Sequence, residues 1–553
     1  MILHTILLVV ISIATINGMS IASVKQEINE KFNANSVTQC TLNIIFTTCK
    51  PTPTGYTCPS IADCITAFSR QAQPTQSYQV LIPAGSYGQS DCPGNVGAPP
   101  LSGSLSFIGY GGLVEFQCKS TQFISIDSGD NPLNILFDSL SISGSATYNG
   151  GSIEILGNST SPLYSNLYLL NVTGNGSYAG DYGGFASCSF ARVYVINSTF
   201  VGNIAQAGGG VVFAPFGLLI SLQSNYYNNS IYRTNGGAIY SSTANLINST
   251  FTGNYAYNGG AVASIYSMDA VNSSFTKNRC SYVGGALYAL SGIKVYGSTF
   301  QSNNGYYGGA IYGVNMTIDV SSFKGNQALN GGVGGAVYVA GENPGQIAIS
   351  NTTFNQNSAD GSGGAIYTIE TSLYLINCVF KNNSANHGGG IFVSYRSSDY
   401  TEVNIISSIL TDNTAVSNGG AINMFESSYG PLLVNFYKSV FDRNTAGNYA
   451  GGAYFLQYPK QLLGGVFTNS VSSETDSYTF YSESIQGVNT ANITIPSEQN
   501  PYYVTVFDEQ SFSYYKAIGV TGSCFNGVAK INENGYILSC SCFAGSTGPS
   551  CDN

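Results

Sequence analysis

A pair of glycines, usually followed by Ala and an aliphatic residue, returns along the middle of this chain at intervals of 23 to 32 residues. The returns fall at Gly183, Gly209, Gly236, Gly259, Gly284, Gly308, Gly334, Gly363, Gly389, Gly419 and Gly451. A second landmark keeps step: Phe200, Tyr226, Phe251, Phe275, Phe300, Phe323, Phe354, Phe380, Leu410 and Phe441. Each is followed three residues later by an asparagine, from Asn203 to Asn444. Two residues before the aromatic stands a small side chain: Ser198, Ser249, Ser273, Ser298, Ser321, Thr352, Cys378, Ser408 or Ser439. A period of this length implies a stacked solenoid.

The contents of the repeat choose which kind. Helical repeats space apolar residues by three and four and avoid paired glycines. These units hold short β-rich stretches such as LYLINCVF and IKVYGSTF. Only Pro215, Pro344 and Pro431 fall between Gly183 and Tyr454. That is expected where every strand has neighbours on both sides and no backbone N–H can be spared. The predicted fold is all-β, a parallel β-helix of about 11 or more coils. Phe fills the interior, Asn closes a turn, and the glycines let the chain turn and let coils approach.

The paired motifs GGA[IVL] and FxxN, over roughly residues 180–455, resemble the repeats of chlamydial polymorphic outer-membrane proteins and related right-handed β-helix proteins of the pectin-lyase-like class. In that class a capping helix and a P-x-G-x-Y strand open the solenoid, and CPSIADCITAF with YQVLIPAGSYG is similar. A first coil has an exposed edge that must be covered. The resemblance lapses after Tyr454, where no membrane barrel is expected. CSCFAGSTGPSC resembles the last third of an EGF-like module, which makes Cys524, Cys540, Cys542 and Cys551 disulfide candidates. Tyr- and Asn-rich coils joined to such a tail resemble a secreted protein of the social-amoeba type.

The predicted organisation is a signal peptide over 1–20, a cysteine-rich cap with first coils over 21–130 and the β-helix over 131–455. A β-rich segment over 456–521, read as a small sandwich, and the partial EGF-like module over 522–553 follow. Residues Ile6–Ala14 form a secretory-type apolar run too short to span a bilayer, and no later run reaches the length of a membrane helix. The chain is therefore expected to be secreted, or held at the cell surface by an anchor beyond it. Six cysteines between Cys40 and Cys118 read as disulfide staples, with the pairing open. Cys378, in the small-residue row, is expected to be a buried inert thiol, and Cys280, after a turn Asn, to be exposed.

Composition narrows the partners. Only 8% of residues are charged, the net charge is −10, and no basic block occurs, which disfavours nucleic acid. Acidic residues in the coils are scattered singly: Asp269, Asp319, Glu342, Asp360, Glu370, Asp399, Glu402, Asp412, Glu426 and Asp442. No catalytic carboxylate pair, phosphate loop, zinc cluster or nucleophile triad is legible. His387 reads as a turn residue, and Asp127 to Asp130 as a polar turn. No cofactor or metal is expected, and the role is read as adhesive, matrix or recognition rather than catalytic. The alternative is a secreted polysaccharide-active lyase or hydrolase, as the fold class implies.

Tyr288, Tyr312, Tyr338 and Tyr367 hold one position in four consecutive repeats, joined by Tyr240. They are a candidate stripe for an extracellular glycan or cell-surface protein, or they stack for stability alone. Eleven N-x-S/T sequons are present. Asn197, Asn248, Asn272 and Asn351 are written by the repeat itself, so each is a structural turn residue as readily as a glycan acceptor. Asn158, Asn171, Asn175, Asn315 and Asn492 stand freer of it and are the glycosylation candidates.

Overall fold

The computed structural model describes residues 21–32, 37–70, 77–96, 103–128, 132–157, 165–395, 401–426 and 432–455, and beyond them short strands between 461 and 542. The predicted signal peptide, Asn158, Asn492, Cys524 and Cys551 lie outside the described residues. Cys540 and Cys542 lie in strand Ile537–Cys542, with their side chains outside them.

The chain forms two compact units, one of residues up to Ser281 with Ala286–Ser291, the other of Tyr282–Gly285 with residues from Gly292 onward. Each is a parallel β-solenoid. One coil shows the plan. After the glycine pair comes strand Val262–Ser264, then Ser267–Val271, Ser274–Thr276 and the two-residue Arg279–Cys280. We call these positions a, b, c and d. Corners between them use left-handed residues, here Asn272 at φ 47° and Lys277 at φ 54°. In the first unit position b pairs in parallel from Ser77–Tyr87 through Gly103–Gln117, Leu133–Asp138 and Ser165–Leu170 to Ser267–Val271. In the second it runs from Gly292–Tyr296 to Thr401–Ile406 and on to Leu432–Asn435.

Three internal ladders hold the coils in register. At the centre of position c, Phe323, Phe354 and Phe380 are fully buried, with neighbouring rings 4.8 and 4.7 Å apart and within 10° of parallel. Tyr226 substitutes for Phe in this stack, and its buried hydroxyl is satisfied by Ser221 Oγ at 3.0 Å. Gly174 leaves a gap in the stack that the Phe185 ring fills; a Cβ on Gly174 would lie 2.5 Å from that ring. The Asn ladder is closed by its own amides. Asn383 donates from Nδ2 to Asn413 Oδ1 (2.9 Å) and to the Phe354 carbonyl (3.1 Å), while its Oδ1 accepts from both Asn357 N–H and Asn357 Nδ2 at 3.0 Å. In the small-residue row each hydroxyl accepts a main-chain N–H from the preceding coil, and Ser224 belongs to it as well.

The glycine pair divides its labour. Gly363 sits at φ 69°, where side chains are strained, and Gly364 lies so close to the next coil that a Cβ would meet the Gly389 carbonyl at 2.0 Å. The register corrects two alignments. Gly388, at φ 62°, takes the first position rather than Gly389, and in the last repeat Ala450, at φ 55°, takes it rather than Gly451.

Helix α1 (Ile21–Phe32) is absent from the sequence expectations; it lies along the flank of the first unit, with Val24, Ile28 and Phe32 buried and Phe32 edge-on to Tyr168 at 5.7 Å. Helix α2 (Ile61–Ser69) falls where a cap is expected. Ser60 caps its N-terminus, accepting from Asp63 N–H at 3.1 Å, and Ile61, Cys64, Ile65, Ala67 and Phe68 are buried against the first strands. Among the described residues the disulfides are Cys40–Cys64, Cys49–Cys58 and Cys92–Cys118. Past residue 455, where a separate sandwich is predicted, parallel pairing instead continues: Gln461–Leu463 on Leu432–Asn435, Val466–Thr468 on Val440–Asp442 and Tyr478–Ser482 on Ala453–Phe455. Antiparallel pairing begins with Tyr503–Asp508 and Ser513–Ile518.

Candidate functional site

In three successive coils of the second unit, buried and half-buried side chains alternate at position a, whereas in the next coil strand Ile391–Tyr395 is buried throughout. Ile311, Val337 and Ile366 are fully buried, and the next residue in each strand, Tyr312, Tyr338 or Tyr367, is half-buried on the outer side. Parallel register sets Tyr312 beside Tyr338, Tyr338 beside Tyr367 and Tyr367 beside Phe392. The ring centroids are 5.2, 5.2 and 5.0 Å apart and the planes lie within 8° of parallel. The strand spacing of about 4.8 Å dictates this stack once one position repeats an aromatic. Tyr307 adds a second ring beside Tyr338 at 5.1 Å, and Tyr306 and Tyr282 pack against Tyr307 edge to face. The outer side of the second unit thus carries a continuous aromatic surface.

Burial pushes the Tyr338 phenol well above the ordinary tyrosine range, reinforced by Tyr367, Tyr312 and Tyr307. Burial also raises Tyr312, with Tyr282 adding to it. These phenols keep their protons and stand as hydrogen-bond donors. The first unit differs. Tyr240 stacks on Phe213 at 5.6 Å, but Ala263 takes the register position between Tyr240 and Tyr288 and interrupts the row. Within the second unit the aromatic stripe gathers Tyr312, Tyr338 and Tyr367; Tyr240 and Tyr288 belong to the first unit, with Ala263 between them.

Phe392 escapes the sequence alignment because a third glycine shifts the frame by one. Tyr282 and Tyr306 come from the turn before the glycine pair, two residues ahead of Gly284 and Gly308. Tyr257 holds the same place ahead of Gly259, so that offset is the signal that would have found them.

Several of the scattered carboxylates are engaged by donors. Asp319 accepts from Ser350 Oγ (2.7 Å) and Asn351 Nδ2 (2.9 Å), and Glu402 accepts from Tyr374 OH (2.6 Å). Asp412 and Asp442 are brought together around Arg443, whose Nε lies 2.8 Å from Asp412 and which also pairs with Asp442. The Arg443 hydrogen bond holds the Asp412 carboxyl below its usual range. Asp399, Asp130 and the side chains of Glu342 and Glu426 lie outside the described residues. His387 is half-buried at a turn, where its carbonyl accepts from Gly363 N–H at 2.9 Å; burial lowers its pKa. Cys378 is buried, and burial pushes its thiol up to about 12. Cys280 is buried too, at 5% exposure, against the expectation that it faces solvent, because position d turns it inward.

Among the glycosylation candidates, Asn171 is not free of the repeat. At φ 53° it occupies the corner between b and c, accepts from Asn197 Nδ2 at 2.7 Å and donates to Asp138 Oδ1 at 3.0 Å. Asn175 is half-buried in strand Thr173–Asn175. Asn315 is exposed at the start of Asn315–Asp319.

Parallel coils, a two-glycine turn and a buried Phe-x-x-Asn ladder define a β-solenoid with repeats of the polymorphic-membrane-protein type. The family described as the Chlamydia polymorphic membrane protein repeat matches residues 351–369 and 377–394, two successive coils of the second unit. The chain is 34% identical over 191 residues to the probable autotransporter YfaL of Escherichia coli (strain K12), covering 29% of this chain and 14% of that one. It is 29% identical over 196 residues to the probable outer membrane protein pmp7 of Chlamydia pneumoniae, covering 32% of this chain and 20% of that one. The chain thus spans a small part of either relative. A solved PL6 alginate lyase in complex with a trisaccharide aligns over 88% of this chain and 93% of that one, with a TM-score of 0.26 and 11% identity, a level that carries no argument. Fold and relatives together describe a surface or secreted β-helix protein. Among the described residues no helix is long and apolar enough to cross a membrane.

Proposed function

We propose that this is an extracellular or cell-surface recognition protein that holds a neutral glycan along the aromatic row of its second unit without chemically altering it. The observation that carries the reading is the outward row of stacked, half-buried rings Tyr312, Tyr338 and Tyr367, closed at one end by the buried ring of Phe392. Its rings lie face to face, so the row offers a ligand aromatic edges and protonated hydroxyls. That combination meets the mixed C–H and O–H surface of a sugar. The step of about 5 Å between rings is close to the advance per sugar in an extended β-linked polysaccharide, so successive rings address successive residues. With only 8% charged residues in the chain, the reading favours a neutral glycan over a polyanion. Proteins of the autotransporter and polymorphic-membrane-protein kind that share the repeat support the surface location.

The test is a binding array of neutral and acidic cell-wall and matrix polysaccharides, followed by incubation of each binder and assay for new reducing or unsaturated ends. Retention of a neutral glycan with no new ends is expected. New ends would replace the reading with a lyase or hydrolase, and retention by proteins alone would replace the ligand class.

A further inference from the structure

The cap of the first unit brings together sulfurs that the sequence holds apart. Cys40 lies on strand Val37–Leu42, Cys58 ends strand Gly55–Cys58, and Cys64 is in the first turn of α2. All three are fully buried, and their sulfur atoms lie within 4.8 Å of one another although they belong to two different disulfides. The fourth sulfur, Cys49 Sγ, is bonded to Cys58 and lies 3.6 Å from the Asp63 carbonyl, beside Cys64. Two independent disulfides need only two bonded pairs; they do not need sulfurs of different pairs in mutual reach. In a tetrahedral thiolate site the metal–sulfur bond is about 2.3 Å, which sets sulfurs about 3.8 Å apart. For Cys40, Cys58 and Cys64, already within 4.8 Å of one another, that geometry is reached by shifts of about 1 Å, and Cys49 follows from its place beside Cys58.

We propose that in the reduced chain these four cysteines form a site for a soft divalent cation of the zinc type, with Cys40, Cys58 and Cys64 as three ligands and Cys49 as the fourth. Binding turns four thiols into four thiolates and releases four protons. Oxidation reverses it: two equivalents of a small disulfide donor take up four electrons and four protons as thiols, both protein disulfides re-form, and the cation leaves. The cap then has one closed state for a reducing compartment and another for an oxidising one. Intervening stretches of eight, eight and five residues hide the site from the usual short-spaced zinc motifs.

The experiment uses the full chain, reduced anaerobically with a phosphine that is then removed, and titrated with Co²⁺ followed by Zn²⁺. One Co²⁺ per chain is expected, with thiolate-to-metal charge-transfer absorption and displacement by equimolar Zn²⁺, and none is expected in the oxidised chain. Cys58→Ser is expected to weaken binding at least tenfold, whereas a Cys92→Ser/Cys118→Ser double variant keeps it. A reduced chain that retains its β circular dichroism yet takes up no Co²⁺ overturns the proposal, as does equal uptake by Cys58→Ser. Should reduction alone unfold the chain, reduction with Zn²⁺ present is expected to preserve the fold, and unfolding there overturns the proposal equally.

Discussion

Asn383 makes four side-chain hydrogen bonds, two given and two received, to the coil before it and the coil after it, and is fully buried. Truncation to Ala leaves the Asn357 N–H, the Asn357 amide and the Phe354 carbonyl without their partner. Each buried orphan costs about 1–3 kcal/mol, so Asn383→Ala is expected to lose at least about 3 kcal/mol in denaturant unfolding. A loss under about 1 kcal/mol would mean that the ladder is not a connected network. The two glycines of one pair are expected to fail differently. Gly363→Ala meets the left-handed penalty of about 1–2 kcal/mol, and its Cβ would lie 2.3 Å from the Ile366 carbonyl of its own turn. Gly364→Ala must push aside a main-chain carbonyl of the next coil, 2.0 Å from the new Cβ, so it is expected to lower the melting temperature further than its neighbour does. Ala450 at φ 55° shows that the first position tolerates a methyl group when it must.

His387 gives the pH dependence a sign. Its folded pKa is depressed by burial below the ordinary 6.5, so the neutral imidazole's stability is complete above that value and lost as pH falls through the lower folded pKa. Melting temperature is expected to fall on acidification below about pH 6.5 more steeply in the native chain than in His387→Gln. Identical slopes would show that the imidazole is solvated in the folded state. Ladder residues were legible in the sequence because each must match the residue one coil below. Ser224 and Phe392 obey the same rule and needed only a better frame.

At the scale of elements, α2 does what a first coil demands: Phe68, fully buried, covers the open end with its ring 5.0 Å from that of Tyr78. Phe68→Ala is expected to cost about 3–5 kcal/mol. By uncovering strand edges it is also expected to promote self-association, read as concentration-dependent light scattering. A monodisperse variant of native stability would show that the cap is dispensable. The cap was legible from its apolar spacing. Helix α1 was not, although Ile21, Val24, Ile28 and Phe32 fall at helical spacing, because it follows directly on an apolar run of sequence that dominates the local pattern. Its anchor is a tertiary contact that no local signal encodes: Glu27 and Lys31 both meet Tyr168 OH, at 3.0 and 2.7 Å, more than 130 residues away in sequence. The strands beyond residue 455 were misread for the converse reason. The glycine and Phe-x-x-Asn landmarks fade there, while the pairing that they serve continues.

At the scale of the whole molecule, repetition makes both the fold and the surface proposed to bind. A chain with few charges and 40 tyrosines makes its outer faces from hydroxyls, amides and ring edges, and a repeat turns one such choice into a row. That a row would exist was legible. Which tyrosines join it was not, because register, turn insertions and Ala263 decide it in three dimensions. The most direct measurement of the account separates binding from stacking: affinity electrophoresis of the native chain and of a Tyr338→Phe/Tyr367→Phe variant in gels containing the captured neutral polysaccharide, beside thermal melts of both. Phe keeps the stack and removes only the hydroxyls, so the account predicts lost retardation at an unchanged melting temperature. Undiminished retardation in the variant would contradict it.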